Sequence, residues 1–566
     1  MVREAFGGGT WLQRAILAAL FAIINGVVLY NAAAHDPRVG YDAGGHLAYV
    51  RTLSTGRLPT PDDTHEFFSP PLPYAAGAIA LALAPEHERR RSLPPATATT
   101  TTTTKEATTA TTSSASTTVA TTRSVARPAK GTWEVFFRPA AWSNFACSVV
   151  LTLFLLRLCR LIEPAPGDPL VRVFVLVCLG MIPAYYKTFA MIRGEPMLAT
   201  VSVVLAWCCV RTFAPAGRPT LWGGVGVGLL MAAAVLSRQW GFFLIPPVVL
   251  IAARRAWRDP AAAPRVAAVL GAAVIVLLLA GGWFYLHLHR TYGTLRAFNR
   301  PPFAVERRPV AFYLKLPVSA LLENPVRDNQ RARRLLPILY SDLWGDYWMH
   351  FLVYGKDRGG HAMQGNLLSR GGAVRLATDN NVIPMTRYLG RVNVASLLPT
   401  FFLILAGAIM GTASLKRLLR RDAGETPLDL ARDGPAETGR AHGGGGGGGA
   451  GDGGDAAARA RVAALAFASA ALFCTLAGFL WFVVQYTDTS GDTIKASYIL
   501  QAFPFLALLA AAWLRRLLDR RPRAAAVVVA VLMAAWAHNA QAMLTRYLVP
   551  SPLAVQGPAA AALAAP

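Results

Sequence analysis

The chain has 566 residues, 54% hydrophobic and only 15% charged, and its 56 Lys plus Arg against 31 Asp plus Glu leave a net charge of +25. A water-soluble chain carries about 25% charged residues, and the deficit here coincides with apolar runs near the roughly 20 residues that cross a bilayer. A soluble multidomain enzyme is excluded, and so is a nucleic-acid partner, because the basic residues gather in short connections between apolar runs, the pattern of the positive-inside rule.

The first run, Trp11 to Ala34, is too long for a signal-peptide core and lacks a small-residue cleavage site, so it is expected to be a retained span. Further spans are expected over Pro139–Cys159, Leu170–Tyr186, Pro196–Val210, Leu221–Leu236, Gly241–Ala253, Val266–His287, Ala395–Ala413, Val462–Val484, Tyr498–Leu514 and Ala524–Ala537. The fold class is therefore an all-α polytopic membrane protein of about eleven transmembrane helices, with two large outer-face loops containing juxtamembrane helices. An inside N-terminus puts Arg254, Arg255 and Arg258, then Lys416, Arg417, Arg420 and Arg421, then Arg515, Arg516, Arg520, Arg521 and Arg523 in cytoplasmic connections. Three parts follow: residues 1–290, a transmembrane module with a first outer loop over 35–138; residues 288–394, a large outer-face loop; and residues 395–566, C-terminal helices with a Gly-rich cytoplasmic linker over 422–460.

Ala96–Thr122 is nearly all Thr, Ala and Ser, and Gly443–Asp455 is mostly Gly. Neither carries enough apolar surface to fold, so both are expected to be tolerated, disordered inserts. The six cysteines, Cys147, Cys159, Cys178, Cys208, Cys209 and Cys474, lie in or beside apolar runs with no CxxC spacing, which implies neither a disulfide framework nor a metal site. The glycines of Gly223–Gly228 sit inside a span, where close helix packing explains them better than a phosphate loop. His65-Glu66-Phe67-Phe68 runs on to Ser69 where a zinc-protease helix needs its second histidine.

What remains are ionisable residues just beyond the outer ends of spans. Tyr41-Asp42 opens a helical pattern with His46 four residues on and Val50 and Leu53 on one face. Asp42 is a good helix N-cap or a catalytic carboxylate, and the pattern alone allows both. After Gly56-Arg57-Leu58-Pro59 the chain reaches Glu66-Phe67-Phe68-Ser69-Pro70-Pro71-Leu72-Pro73-Tyr74, where the prolines fix a turn and the aromatic residues are expected at the membrane interface.

This stretch, YDAGGHLAYVRTLSTGRLPTPDDTHEFFSPPLPY, resembles the first outer loop of the GT-C glycosyltransferases, the group containing protein O-mannosyltransferases, aminoarabinose transferases and bacterial lipid-linked-sugar transferases. The shared elements are an aromatic residue and Asp, a nearby His, a short helix, Gly-x-Leu-Pro, then an acidic residue ahead of Pro-Pro-Leu-x-Tyr. Over the rest of the chain the resemblance is topological. It implies that Asp42 is the general base of an inverting transfer from a polyprenyl-phosphate sugar to an acceptor hydroxyl. Because the donor already carries a good leaving group, such an enzyme must deprotonate the acceptor and hold the departing phosphate. Ala43 stands where the protein mannosyltransferases have Glu, which puts a protein acceptor in question.

His46 and Glu66 belong to the same motif and are expected to bind substrate. Cations for the phosphate are sought in Lys187, Arg193, Arg238 and Lys495, each of which is otherwise an ordinary snorkelling residue. Lys495, ahead of Tyr498, resembles the family's phosphate-contacting position. Glu195 occupies the second outer loop, where the family commonly has another acid and a catalytic role is expected; with Pro196 next to it, it also reads as a helix start. Tyr340, Trp344, Tyr347 and Trp348 fall on one helical face, which predicts a surface-lying helix that anchors at the interface or covers the site.

The expected partners are a polyprenyl-phosphate-linked sugar, a glycan, lipid or protein acceptor, and membrane lipid. No cofactor is implied, and a divalent metal ion stays open. A bacterial inner membrane is favoured, since no Asn-x-Ser/Thr acceptor occurs. A non-catalytic lipid or glycolipid transporter is the alternative, although proton-coupled transport favours acids inside spans rather than beyond their ends.

Overall fold

The structure is a computed structural model that describes residues 5–37, 39–84, 133–163, 167–214, 219–295, 308–323, 325–326, 334–351, 353–356, 362–364, 383–419, 451–486 and 493–545. The Thr-rich insert Ala96–Thr122 lies outside them, as do residues 443–450 of the Gly-rich insert.

The first long helix is α1, Trp11–Ala34, whose start is fixed by a capping box: Gln13 N–H donates to Thr10 Oγ1 at 3.3 Å and Thr10 N–H to Gln13 Oε1 at 2.9 Å. After it come α2, Ala43–Ser54, a one-turn 3₁₀ helix over Leu72–Tyr74, and α3, Ala75–Ala82. The next run is α4, Trp133–Ile162, followed by α5, Leu170–Gly180, and α6, Pro183–Ala190. Together α5 and α6 take the place of the single span expected over Leu170–Tyr186, bent by 69°. Gly180 ends the first helix and Pro183, which has no N–H to give a preceding turn, starts the second.

Then follow α7, Glu195–Phe213, α8, Leu221–Ser237, α9, Ile245–Arg258, and α10, Ala263–Tyr292. Short helices α11, Val310–Leu314, α12, Val318–Glu323, and α13, Leu335–Trp344, precede an antiparallel hairpin of β1, Val353–Lys356, and β2, Ala362–Gln364. The C-terminal part is α14, Ile383–Ala395, α15, Leu397–Leu419, α16, Gly451–Tyr486, α17, Phe503–Arg520, and α18, Pro522–Asn539. Residues 451–455, expected to be unstructured with the Gly-rich insert, form the first turns of α16.

Among the described residues nine helices are long and apolar enough to cross a membrane, ten with the bent pair. The eleventh expected span, α8, is helical but only 17 residues long. The protein is thus a polytopic helical membrane protein, and its outward surface is apolar: Trp222 is 83% and Leu279 75% exposed.

Between helices, small and polar residues make the contacts, as expected where lipid removes the hydrophobic gain of helix association. A Cβ on Gly224 or Gly228 of α8 would lie 2.4 Å from Val269 O or 2.5 Å from Ala273 O of α10, so the glycine run serves close helix packing. Asn25 of α1 donates to Thr152 of α4 at 3.1 Å and accepts from Ser148 at 2.9 Å. All six cysteines are free.

The span that contains α17 shows how the molecule is polarised. Lys495 stands at its start and Arg515, Arg516 and Arg520 at its end. Around the arginine end lie Arg417 and Arg461, with Arg461 donating to Glu163 O and Arg515 pairing with Asp168 at 2.5 Å. The candidate site residues collect at the opposite, Lys495 end.

Candidate active site

Asp42 is where the local fold departs from expectation. It precedes α2 in the N-cap position, yet its backbone is left-handed, with φ 54° and ψ 24°, and among the described residues its carboxylate makes no cap hydrogen bond. Asp is one of the few residues that tolerate this region. The capping role is therefore served by the backbone alone: Gly45 N–H and His46 N–H donate to Asp42 O at 2.8 and 3.1 Å. The carboxylate turns away to meet Lys495, whose Nζ donates to Oδ2 at 2.6 Å. The Asp42 side chain remains 36% exposed while that of Lys495 is 8% exposed, so a molecule arriving from outside meets the carboxylate first.

Two charges so close in a shielded place stabilise one another. Burial pushes the Asp42 carboxyl up, but the Lys495 ammonium outweighs it and holds the group well below the usual carboxylate range. Burial likewise pushes the Lys495 ammonium down, and Asp42 more than reverses that. Both groups are charged at neutral pH.

Behind this pair the remaining site residues form a connected network. Arg193 makes a two-pronged pair with Glu195, Nε to Oε2 at 2.6 Å and Nη2 to Oε1 at 2.7 Å. Arg238 Nε donates to Glu195 Oε1 at 3.0 Å, and its Nη1 donates to Ser69 Oγ at 2.9 Å and lies 3.5 Å from Glu66 Oε2. Ser69 Oγ donates to Glu66 Oε2 at 2.6 Å. Gly194 allows the Arg193–Glu195 turn to nest on the end of α8, since a Cβ there would lie 2.2 Å from Ser237 O.

His46 is 1% exposed, with Nδ1 2.8 Å from the Tyr74 hydroxyl. Burial pushes it down to about 4 against the pull of Glu66, so it is a neutral imidazole at pH 7. Phe67, Phe68 and Tyr74, expected at the membrane interface, are instead packed inside. Tyr74 stacks on Tyr49 of α2 and Phe67 packs on Tyr292 of α10, with ring centres 4.2 and 5.0 Å apart.

Arg193 and Lys495 share two aromatic faces: Arg193 lies 5.0 Å and Lys495 5.2 Å from the Tyr41 ring centre, and both lie 5.6 Å from that of Tyr498. Arg193 Nη1 is buried and has no hydrogen-bond partner among the described residues. An anion entering beside Lys495 would find that N–H unsatisfied.

Eight of the nine residues singled out in the sequence thus meet in one network: Asp42, His46, Glu66, Arg193, Glu195, Arg238, Lys495 and Tyr498. Glu195 is wholly buried with both oxygens held by guanidinium groups, and it is also the first residue of α7. Lys187 faces the same end of the molecule, but its Nζ donates to the backbone carbonyls of Asp342 and Gly345, each at 2.6 Å, tying down the end of α13.

The aromatic segment does not form the expected face. The helix α13 stops at Trp344, so Tyr347 and Trp348 follow in a turn, and all three are buried rather than lying on a surface. Gly345 has φ −99° and ψ −141°, an extended conformation that ends the helix. Trp348 and His350 pack edge-on against Tyr41, at 6.1 and 4.6 Å between ring centres.

His65 is the site residue that the sequence reasoning missed. Its Nε2 lies 3.8 Å from Asp42 Oδ1 and 4.0 Å from Glu66 Oε1. The signal was Gly45: a Cβ there would lie 2.4 Å from the His65 ring, so that glycine makes room for it. Donor atoms of Asp42, His65 and Glu66 lie within 4.8 Å of one another and could gather on a metal ion. Their oxygens and nitrogen suit a divalent cation, and Asp42 would then be shared between that ion and the Lys495 ammonium.

No protein-family model matches the chain, and no curated protein sequence matches it. Among solved structures it is similar to ArnT from Cupriavidus metallidurans in the apo state, with 14% identity and a TM-score of 0.33 over 88% of this chain and 77% of that one. It is also similar to the same protein bound to undecaprenyl phosphate, with 13% identity, a TM-score of 0.32 and the same coverage.

Proposed function

We propose that the chain is a membrane glycosyltransferase that moves a sugar from a polyprenyl-phosphate donor to an acceptor hydroxyl, with inversion and with Asp42 as general base. The observation that carries this reading is the carboxylate of Asp42, which is released from capping, partly open to solvent and paired with Lys495 at 2.6 Å.

The reaction needs a base beside the acceptor oxygen and a cation beside the departing phosphate, so the direct Asp42–Lys495 bond opens as the substrate enters between them. The acceptor oxygen attacks that carbon as its proton passes to Asp42; the bond from carbon to phosphate oxygen breaks, and its electron pair leaves with the phosphate. A base as weak as this carboxylate suits a leaving group as good as a phosphate, because proton transfer need only keep pace with bond making. Lys495 and Arg193, whose Nη1 is otherwise unsatisfied, are the groups to meet the phosphate. Their attraction grows as charge develops on the leaving oxygen, so it lowers the barrier as well as aiding binding.

The arginine-rich end of the bundle supports a cytoplasmic placement for that pole, and hence an outer-face site of the kind a bacterial plasma membrane would carry. Cysteines placed at Thr109 and Arg516 should then label from opposite sides.

The test is Asp42→Asn with a radiolabelled lipid-linked sugar. Since the side chain caps nothing, is partly exposed and as an amide still offers Lys495 an acceptor oxygen, the variant should insert, fold and bind donor while transfer falls by about 10² or more, the scale for a positioned base. Transfer close to wild type would remove the base from the mechanism and restore the transporter reading.

A further inference from the structure

Asp342 lies in the last turn of α13, 1% exposed, in the aromatic segment for which the sequence suggests no family role. Its two oxygens have different partners. Oδ1 accepts the Tyr41 hydroxyl at 2.5 Å, and Oδ2 accepts the backbone N–H of Ala496 at 2.6 Å. Tyr41 is the residue before Asp42 and Ala496 the residue after Lys495, so these two bonds close a ring through the pair at the heart of the site.

Both residues lie just outside regular helix or strand. Asp42 sits in left-handed backbone after Gly40, whose φ is 148°. Lys495 lies in extended backbone ahead of a 3₁₀ helix broken at Ile499. A buried carboxylate that accepts one bond from each is a strong and directional tie, and Lys187 Nζ, 3.5 Å from Asp342 Oδ1, offsets its charge.

The geometry points to Asp342 as a positioning residue that brackets the Asp42-bearing and Lys495-bearing turns, so that the carboxylate and the ammonium meet at their short distance. Its consequence for sugar transfer rests on the reading above, but the bracket itself does not. Asp42 faces Lys495, His46, His65 and Glu66; Asp342 faces Lys187, Tyr41 and Asp346. Of the cations, Lys495 alone is hydrogen-bonded to Asp42 among the described residues. Loosening the bracket should therefore lengthen that bond, and a carboxylate that loses a charge-assisted hydrogen bond changes its vibrational frequency.

Asp342→Asn keeps the shape but offers one acceptor oxygen, so at least one tie is lost. Tyr41→Phe removes only the hydroxyl half and carries the test alone if the first variant does not fold. The measurement is the infrared stretching band of the ionised Asp42 carboxylate at pH 7 in the purified full chain without substrate, assigned from the difference with Asp42→Asn. The expected result in Asp342→Asn is a shift of that band towards its position in Lys495→Ala, where the ammonium partner is gone. Tyr41→Phe should move it the same way, and the double variant should go no further than Asp342→Asn, because both cut one chain of contacts. In the transfer assay kcat should fall by a larger factor than the donor KM rises.

A band unchanged in both variants overturns the bracket, even if thermal stability falls. A shifted band in a chain whose wild type transfers no sugar keeps the bracket and overturns the transferase reading.

Discussion

The two ends of the helix bundle use arginine in opposite ways. At the site end Arg193 and Arg238 are buried and hydrogen-bonded to Glu195, and Arg238 also pairs with Glu66 at 3.5 Å. At the other end Arg516 lies among Arg417, Arg461 and Arg520, close enough to be repelled by them, and Arg515 finds Asp168 and Asp519 at a half-exposed surface. The comparison separates charge that orients the chain from charge that shapes a site. Repelling guanidinium groups are tolerated where water and anionic lipid screen them, whereas a buried guanidinium needs a carboxylate in good geometry.

The sharpest way to break this contrast is Glu195→Gln. It leaves buried Arg193 without its carboxylate and Arg238 with Glu66 alone at 3.5 Å, and losing one member of a buried pair costs about 3–5 kcal/mol, a large part of a typical net stability of about 5–15 kcal/mol. Glu195→Gln should therefore yield little folded protein by size-exclusion chromatography. A folded, monodisperse variant that no longer transfers sugar would instead make Glu195 a direct participant in the chemistry.

Next in size is Lys495→Ala. On the proposed reading Lys495 meets the leaving group, so its loss should lower kcat and raise the donor KM, reducing kcat/KM by about tenfold or more. The acid limb of the rate profile should move up in pH at the same time, because Asp42 loses the cation that keeps it ionised. Unchanged kcat/KM would return Lys495 to the residues that merely reach for the membrane surface. By contrast Arg516→Ala, at the other end, should change stability by no more than about 0.5 kcal/mol in chemical denaturation, since lost packing of its stem is offset by relief of repulsion.

The spans and the glycine run were legible because both depend on periodicity and composition along one segment. The α5–α6 bend carried its own markers, Gly180 and Pro183, but an apolar run of span length concealed them. Asp42, His46 and Glu66 were legible as a local motif, while their partners were not. Lys495 reaches Asp42 across 453 positions and Arg238 reaches Glu195 across 43, and single-sequence charge patterns carry no pairing information at such separations. Lys187 could not be told from a phosphate ligand because its partners are backbone carbonyls, which every residue possesses. His65 escaped because the search for metal-binding histidines assumed one helix, and here the donors come from a turn and a returning loop.

A pH-dependent effect tests the arginine-rich end on its own terms. Glu163 follows α4 and bonds Arg172 at 2.5 Å, while Arg172 Nη1 also donates to the carbonyls of Ala5 and Gly7 at 2.7 and 2.9 Å, strapping the N-terminal segment to the bundle. Burial pushes the Glu163 carboxyl up to about 7, and Arg172 only partly opposes it. In the unfolded chain a glutamate titrates near about 4.3, so between that pH and about 7 the folded state binds more protons than the unfolded one. Stability then falls as pH rises through this window, levels off above pH 7, and is unaffected by this group below the unfolded value. Thermal denaturation across pH 4 to 8 should show that decline, and Glu163→Gln, which holds a neutral side chain at every pH, should flatten it. A slope identical in the two proteins would mean that Glu163 is ionised throughout, with Arg172 outweighing burial, and the two ends of the molecule would then treat a buried ion pair alike.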